Sequence, residues 1–229
     1  MEHYHYSTIC IIKRLLCFLI GLLILATGVS VSTITGLGIS PLNVIPFVLS
    51  QISGIQMGYM TMALFAVYIL IEVAIKGKQF RMWDFLQFIC AVIFGYFINW
   101  TKSQISIFSV ENYAVKVLIT LLSAFLIALG TQVYVSAHIV PQATEGLILA
   151  ICDKWSLSFA VVKEWFDVIS VILAAIISLI FTGTIIGIRE GTLIIALLVG
   201  VIVGFLARHF TGWLEKKVFG TEPIPGRKG

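Results

Sequence analysis

Between Leu15 and Ile71 the chain carries no Asp, Glu, Lys, Arg or His. Over all 229 residues only 11% are charged and 59% are hydrophobic. A soluble domain is usually about one quarter charged. The scarcity excludes an ordinary soluble fold and points to an all-α, polytopic membrane protein. The apolar runs are continuous rather than alternating, which excludes the dyad pattern of a membrane β-barrel.

Other absences narrow the chemistry. The four cysteines, Cys10, Cys17, Cys90 and Cys152, form no CxxC pair and accompany no histidine cluster, so neither a disulfide framework nor a metal site is expected. There is no HExxH, no GxSxG and no paired aspartate of an intramembrane protease. An enzyme is not expected, nor is a cofactor. Gly36, Gly38 and Pro41 spell GxGxxP, but no strand precedes them and no βαβ unit surrounds them, so a dinucleotide site is set aside. The net charge of +4 is gathered in clusters beside apolar runs, which makes the bilayer surface the expected partner and leaves no case for nucleic acid.

What is present is a series of apolar runs. About 20 such residues cross ~30 Å of hydrocarbon. Six stretches qualify: roughly 14–34, 57–76, 84–101, 115–137, 158–181 and 191–210. Lys13 and Arg14 precede the first, as in a signal peptide, but the run is long and further spans follow it. With the N-terminus cytoplasmic, twelve Lys and Arg residues fall inside. Only Lys102, Lys116 and Arg189 fall outside. This bias predicts both termini in the cytoplasm. The expectation is one membrane domain over 1–211 and a basic cytoplasmic tail over 212–229.

A slide of 102 residues brings Arg14 onto Lys116, Ala26 onto Ala128, Gly28 onto Gly130 and Val31 onto Val133. Each half reads long helix, Pro-bearing break, long helix, short turn, third helix. The expected repeats are about 12–104 and 114–211. Three spans per half would insert the second half upside down, as in secondary transporters built from inverted repeats.

The breaks are GLGISPLNVIPFVLSQISG (36–54) and PQATEGLILAICDKW (141–155). Ser40 reads as an N-cap and Pro41 as the first helical residue. A helix from Pro41 to about Ser53 would be ~19 Å long, about half a membrane. Pro141 stands near the start of the partner, and Asn43 aligns with Glu145. Each segment is either an interfacial helix or a re-entrant half-helix whose N-terminal N–H groups point inward. The lack of charge in 36–54 favours the re-entrant reading, whereas Asp153 and Lys154 close the second segment as at a surface.

Candidate site residues follow from charge in apolar surroundings. Glu145 leads: it could bind a cation, carry a proton, hold a substrate amine, or simply cap its helix. Lys163 and Asp167 form an i,i+4 pair. They lie inside the membrane if their helix begins near Phe159, and at its edge if the helix begins near Val168. His138 precedes Pro141 and could touch the break, although a packing role suits it as well. Glu72 reads as interfacial, and Gln87, Asn99 and Gln132 as bonds between helices. Gly28, Ser32, Gly36 and Ser40, and likewise Ala196, Gly200 and Gly204, recur every fourth residue as close-packing ridges. An oligomer is left open.

At GLGISPLNVI, IVPQATEGLILAI and GIREGTLIIALLVGVIVG the sequence resembles the YczE/YyaS/YitT group of bacterial integral membrane proteins, over about residues 10–210. The second break departs from the Gly-rich, Asp-containing form of many relatives, with Glu145 near the acidic position. The resemblance implies six spans and a bacterial inner membrane, and assigns no site residue. The expectation is a carrier of a small polar or cationic solute, with a membrane-embedded regulator or scaffold as the alternative.

Overall fold

In the computed structural model, which describes residues 8–108 and 110–214, eight α-helices account for the fold. They are α1 (Thr8–Thr35), α2 (Pro41–Ser53), α3 (Met57–Lys76), α4 (Leu86–Ile105), α5 (Tyr113–Ser136), α6 (Ala143–Trp155), α7 (Phe159–Thr182) and α8 (Glu190–Leu214). Short 3-10 turns at Gly77–Gln79 and Met82–Phe85 join α3 to α4. No strand occurs among the described residues. Six helices are long and apolar enough to cross a membrane, and they match the six runs read from the sequence. Of the expected tail, Gly212–Leu214 continue α8, and residues 215–229 lie outside the described residues.

The remaining helices, α2 and α6, have 13 residues each, ~19 Å, and cannot cross. Their starts, Pro41 and Ala143, stand at the 102-residue offset, as do the starts of α3 and α7 at Met57 and Phe159. Pro41 takes the first helical position after Ser40, where a missing N–H costs nothing. Gly54, at φ 72°, ends α2 in the left-handed conformation that glycine adopts without strain. Pro141 lies just outside α6, whose N-cap is Gln142.

The core is the antiparallel pairing of α1 with α5. A Cβ added at Gly130 would lie 2.4 Å from the Leu25 nitrogen and 2.8 Å from the Gly21 oxygen. One at Gly28 would lie 2.7 Å from the Ile127 nitrogen. Glycine lets the two backbones meet, which is how helices associate where no water is available to drive them together. α4 packs on α1, and α8 on α5. The short helices cross between the halves: α2 packs on α7, and α6 on α3. Phe18, Leu22, Phe65, Phe94 and Tyr134 fill the shared core.

The ridge on α8 does not pack as its sequence implies. Nothing lies within 4 Å of a Cβ added at Gly200 or Gly204. α8 meets α5, while α7 and α8 make no pairing comparable to that of α3 with α4. The face bearing these glycines therefore has no neighbour among the described residues.

The two glycine-rich motifs form one unit. Ile39 N–H donates to Gly187 O at 3.0 Å, and Gly191 N–H donates to Leu37 O at 2.8 Å. Gly38 has φ 122°, and a Cβ there would lie 2.4 Å from Thr192 Oγ1. Gly36, at φ 64°, turns the chain in open space. The loop after α1 is thus sewn to the turn before α8.

Candidate functional site

The polar residues concentrate where α6 meets α3, α5 and α7. Glu145 is the third residue of α6, as Asn43 is of α2. Its side chain is partly buried and accepts a hydrogen bond from the Tyr134 hydroxyl of α5. Tyr134 is itself buried, with its ring edge-on to Phe18 at 6.1 Å. The Glu145 carboxyl also accepts from the backbone of Gln142, the reach-back half of a capping box. Burial pushes it above the ordinary carboxylate range. The Tyr134 and Gln142 hydrogen bonds and the charge of Lys163 oppose that shift without cancelling it.

Lys163 and Asp167 form their expected pair, Nζ to Oδ2 at 2.8 Å. α7 begins at Phe159, which settles their place: they lie in its second and third turns, partly buried, rather than ahead of the helix. Asp167 Oδ1 is buried without a hydrogen-bond partner.

Asn43 is buried at 7% exposure, but its amide donates to Ser40 Oγ at 2.9 Å and closes the first turn of α2. No described hydrogen bond or core cluster joins it to Glu145. The two hold equivalent positions on helices that have no substantial packing on each other. His138 has φ 52° and is exposed just past the end of α5. It turns the chain towards Pro141. Gln132 donates to Ser136 Oγ on its own helix at 3.3 Å.

Two residues matter more than their sequence positions indicate. Glu72, one turn from the end of α3, is fully buried at 0% exposure. Its Oε1 takes Lys76 Nζ at 2.6 Å and Gln87 Nε2 at 3.3 Å, and Lys76 also approaches Asp84 at 3.6 Å. Glu72 Oε2 and Gln87 Oε1 are buried with no hydrogen-bond partner. Both face Gly146, where an added Cβ would lie 2.7 Å from the first and 2.6 Å from the second. The residue after Glu145 is therefore seated on two acceptor oxygens, and any side chain there has to displace the ends of Glu72 and Gln87. At the repeat offset Gly146 corresponds to Val44 and Glu72 to Ala174, which share a purely apolar cluster. The polar version occurs in one half only. A Gly146→Val variant, whose branched side chain must push both the Gln87 and the Glu72 termini out of their buried places, is expected to lose about 1–3 kcal/mol of stability through overpacking. Thermal unfolding in detergent measures it, and an unchanged midpoint contradicts the described fit. Among these, only the charge of Glu72 in an apolar run was visible in the sequence; its burial depends on α4 and α6, distant along the chain.

Six apolar spans, two half-length helices and a polar cluster at one short helix define a multi-pass helical membrane protein. The chain belongs to DUF6198, a family of unknown function whose model matches residues 12–208. No curated protein and no solved structure matches the chain.

Proposed function

We propose that the protein is a carrier that moves a small polar or cationic solute by alternating access between two inverted halves, each of three spans and a short helix. The observation that carries this reading is Glu145, an acidic group at the first turn of a helix too short to cross, held by Tyr134 and under the influence of Lys163. Such broken helices commonly form the substrate sites of secondary transporters. An ionisable residue in an apolar segment is by default functional.

In this mechanism the carboxylate of Glu145 attracts the solute's positive group or a proton. Lys163–Asp167 is a switchable ion pair: an arriving cation competes with Lys163 for the surrounding carboxylates. Movement of α6 away from α3 would uncover Glu72 Oε2 and Gln87 Oε1, two acceptors ready for a donor. The equal spacing of the short helices supports an inverted repeat, and their crossed packing gives each half a hold on the other. The basic bias supports cytoplasmic termini, and the resemblance to the YczE/YyaS/YitT group supports a bacterial inner membrane. The reading requires no cofactor and no covalent step.

A second reading has one observation in its favour. The bond from Gln142 to Glu145 suits a static helix cap, as a membrane-embedded scaffold or regulator would use. Reconstituted protein separates the two. Uptake of small labelled amines into proteoliposomes, with and without a pH gradient, is expected above empty vesicles. No uptake across the panel, together with wild-type cell behaviour of Glu145→Gln, favours the scaffold.

A further inference from the structure

The two short helices hold equivalent positions but are mounted differently. Among the described residues two that are not glycine have a positive φ: His138 at 52° and Ser156 at 53°. They flank α6. At the 102-residue offset they correspond to Gly36, at φ 64°, and Gly54, at φ 72°, which flank α2. Glycine enters this region without cost, whereas a Cβ is crowded there against the following carbonyl oxygen. The same two turns are therefore relaxed around α2 and strained around α6.

The attachments differ as well. Ile39 N–H and Leu37 O sew the chain before α2 to Gly187 and Gly191. The residue in the position of Ile39 before α6 is Pro141, which has no N–H to give. No backbone hydrogen bond joins residues 138–142 to the turn between α3 and α4. Arg14 Nη1 donates to Ala137 O at 3.1 Å, so the end of α5 is pinned and the chain turns just beyond it, at His138. The seats are also unlike. α2 lies by Val44, Ile45 and Val48 on an apolar cluster with Ala174. α6 lies by Gly146 on Glu72 Oε2 and Gln87 Oε1, which are buried with no hydrogen-bond partner. Lifting α2 would wet an apolar surface, whereas lifting α6 would give water to two orphaned acceptors.

We propose that α6 is the moving gate of this protein, swinging off α3 about His138 and Ser156, while α2 stays fixed to the start of α8. Backbone strain of this kind persists only where surrounding contacts hold it. For α6 those contacts include the Tyr134 bond to Glu145 and the packing of Leu147 and Ile148. Release of Glu145 thus breaks a hydrogen bond on a segment already strained towards opening. The role as a gate rests on the carrier reading; the motion itself does not.

The test compares equivalent buried positions on the two helices in the full chain. Ala150 on α6, 2% exposed, corresponds to Val48 on α2, 0% exposed. Each is changed to cysteine in a background where Cys10, Cys17, Cys90 and Cys152 are replaced, and labelling by a small water-soluble methanethiosulfonate is timed in detergent. Ala150→Cys is expected to react about tenfold faster than Val48→Cys, or more, because strain at two turns favours its opening. Ser156→Gly, an exposed change that relaxes one turn, should slow labelling of Ala150→Cys several-fold and leave Val48→Cys unaltered. Tyr134→Phe, which keeps the ring and removes the bond to Glu145, should speed labelling of Ala150→Cys. Leu147→Cys and Ile45→Cys form a second equivalent pair of buried positions, which serves where a variant of the first pair fails to fold. Equal rates on the two helices, or a rate at Ala150→Cys that Ser156→Gly does not slow, overturn the proposal. A mobile α6 in a protein without uptake upholds this inference and sinks the carrier; uptake with equal labelling of the two helices does the reverse.

Discussion

Gly130→Ala is expected to destabilise the fold by about 3 kcal/mol or more, at or beyond the upper end of ordinary overpacking. The new methyl would meet Leu25 nitrogen at 2.4 Å, Leu25 Cα at 2.7 Å and Gly21 oxygen at 2.8 Å. All three are backbone atoms, so no rotamer change relieves the contact. α1 and α5 must part, and with them the packing of Leu22, Leu25 and Tyr134. Gly200→Ala is the control, because nothing lies within 4 Å of its added methyl. Thermal unfolding of both variants in the same detergent tests the contrast. A Gly130→Ala midpoint equal to that of Gly200→Ala contradicts the close α1–α5 approach.

Glu145→Gln is expected to have the largest effect on activity. The amide preserves size and can still accept from Tyr134, so the fold should persist. It removes the charge and the exchangeable proton on which the carrier reading depends. Uptake should fall to the level of empty vesicles, a loss of tenfold or more, since a charge-assisted contact is worth about 1.5–3 kcal/mol. Stability should respond in a defined direction. Burial raises the carboxyl above its ordinary value near 4.5, so the folded state holds the proton more tightly than the unfolded state. Its contribution is fully present below the unfolded value and is lost as pH rises through the folded one. Wild-type stability should therefore decline across that window, and the decline attributable to Glu145 should vanish in Glu145→Gln. Superimposable pH profiles for the two proteins would show that the carboxyl is not perturbed.

The spans were legible because length and lack of charge suffice for them. The start of α2 was legible from Ser40 and Pro41. The start of α7 at Phe159 could be chosen only through the repeat, since the apolar run from Trp155 to Ile188 admits more than one crossing. The Lys163–Asp167 pair followed from helical spacing once that start was chosen. The burial of Glu72 was not legible. Its surroundings come from Gln87 and Gly146, and no local pattern says which face of a nearly uniform apolar helix looks inward. The Tyr134 contact with Glu145 was hidden for a related reason: Tyr134 reads as one more aromatic residue until the turn at His138 brings α6 back beside it. The α8 ridge shows the opposite failure, because small residues permit close packing without supplying a neighbour.

The central claim is that the start of α6 is reached in turn from both sides of the membrane. Thr144, buried at 2% exposure beside Glu145, is the place to measure it. A Thr144→Cys variant would be made in a background where Cys10, Cys17, Cys90 and Cys152 are replaced, then exposed to a membrane-impermeant maleimide. Oriented sealed vesicles allow the reagent to be applied from either face. Alternating access predicts labelling from both faces, with labelling from one face suppressed by conditions that favour the other. Labelling from a single face only, or from neither, contradicts it.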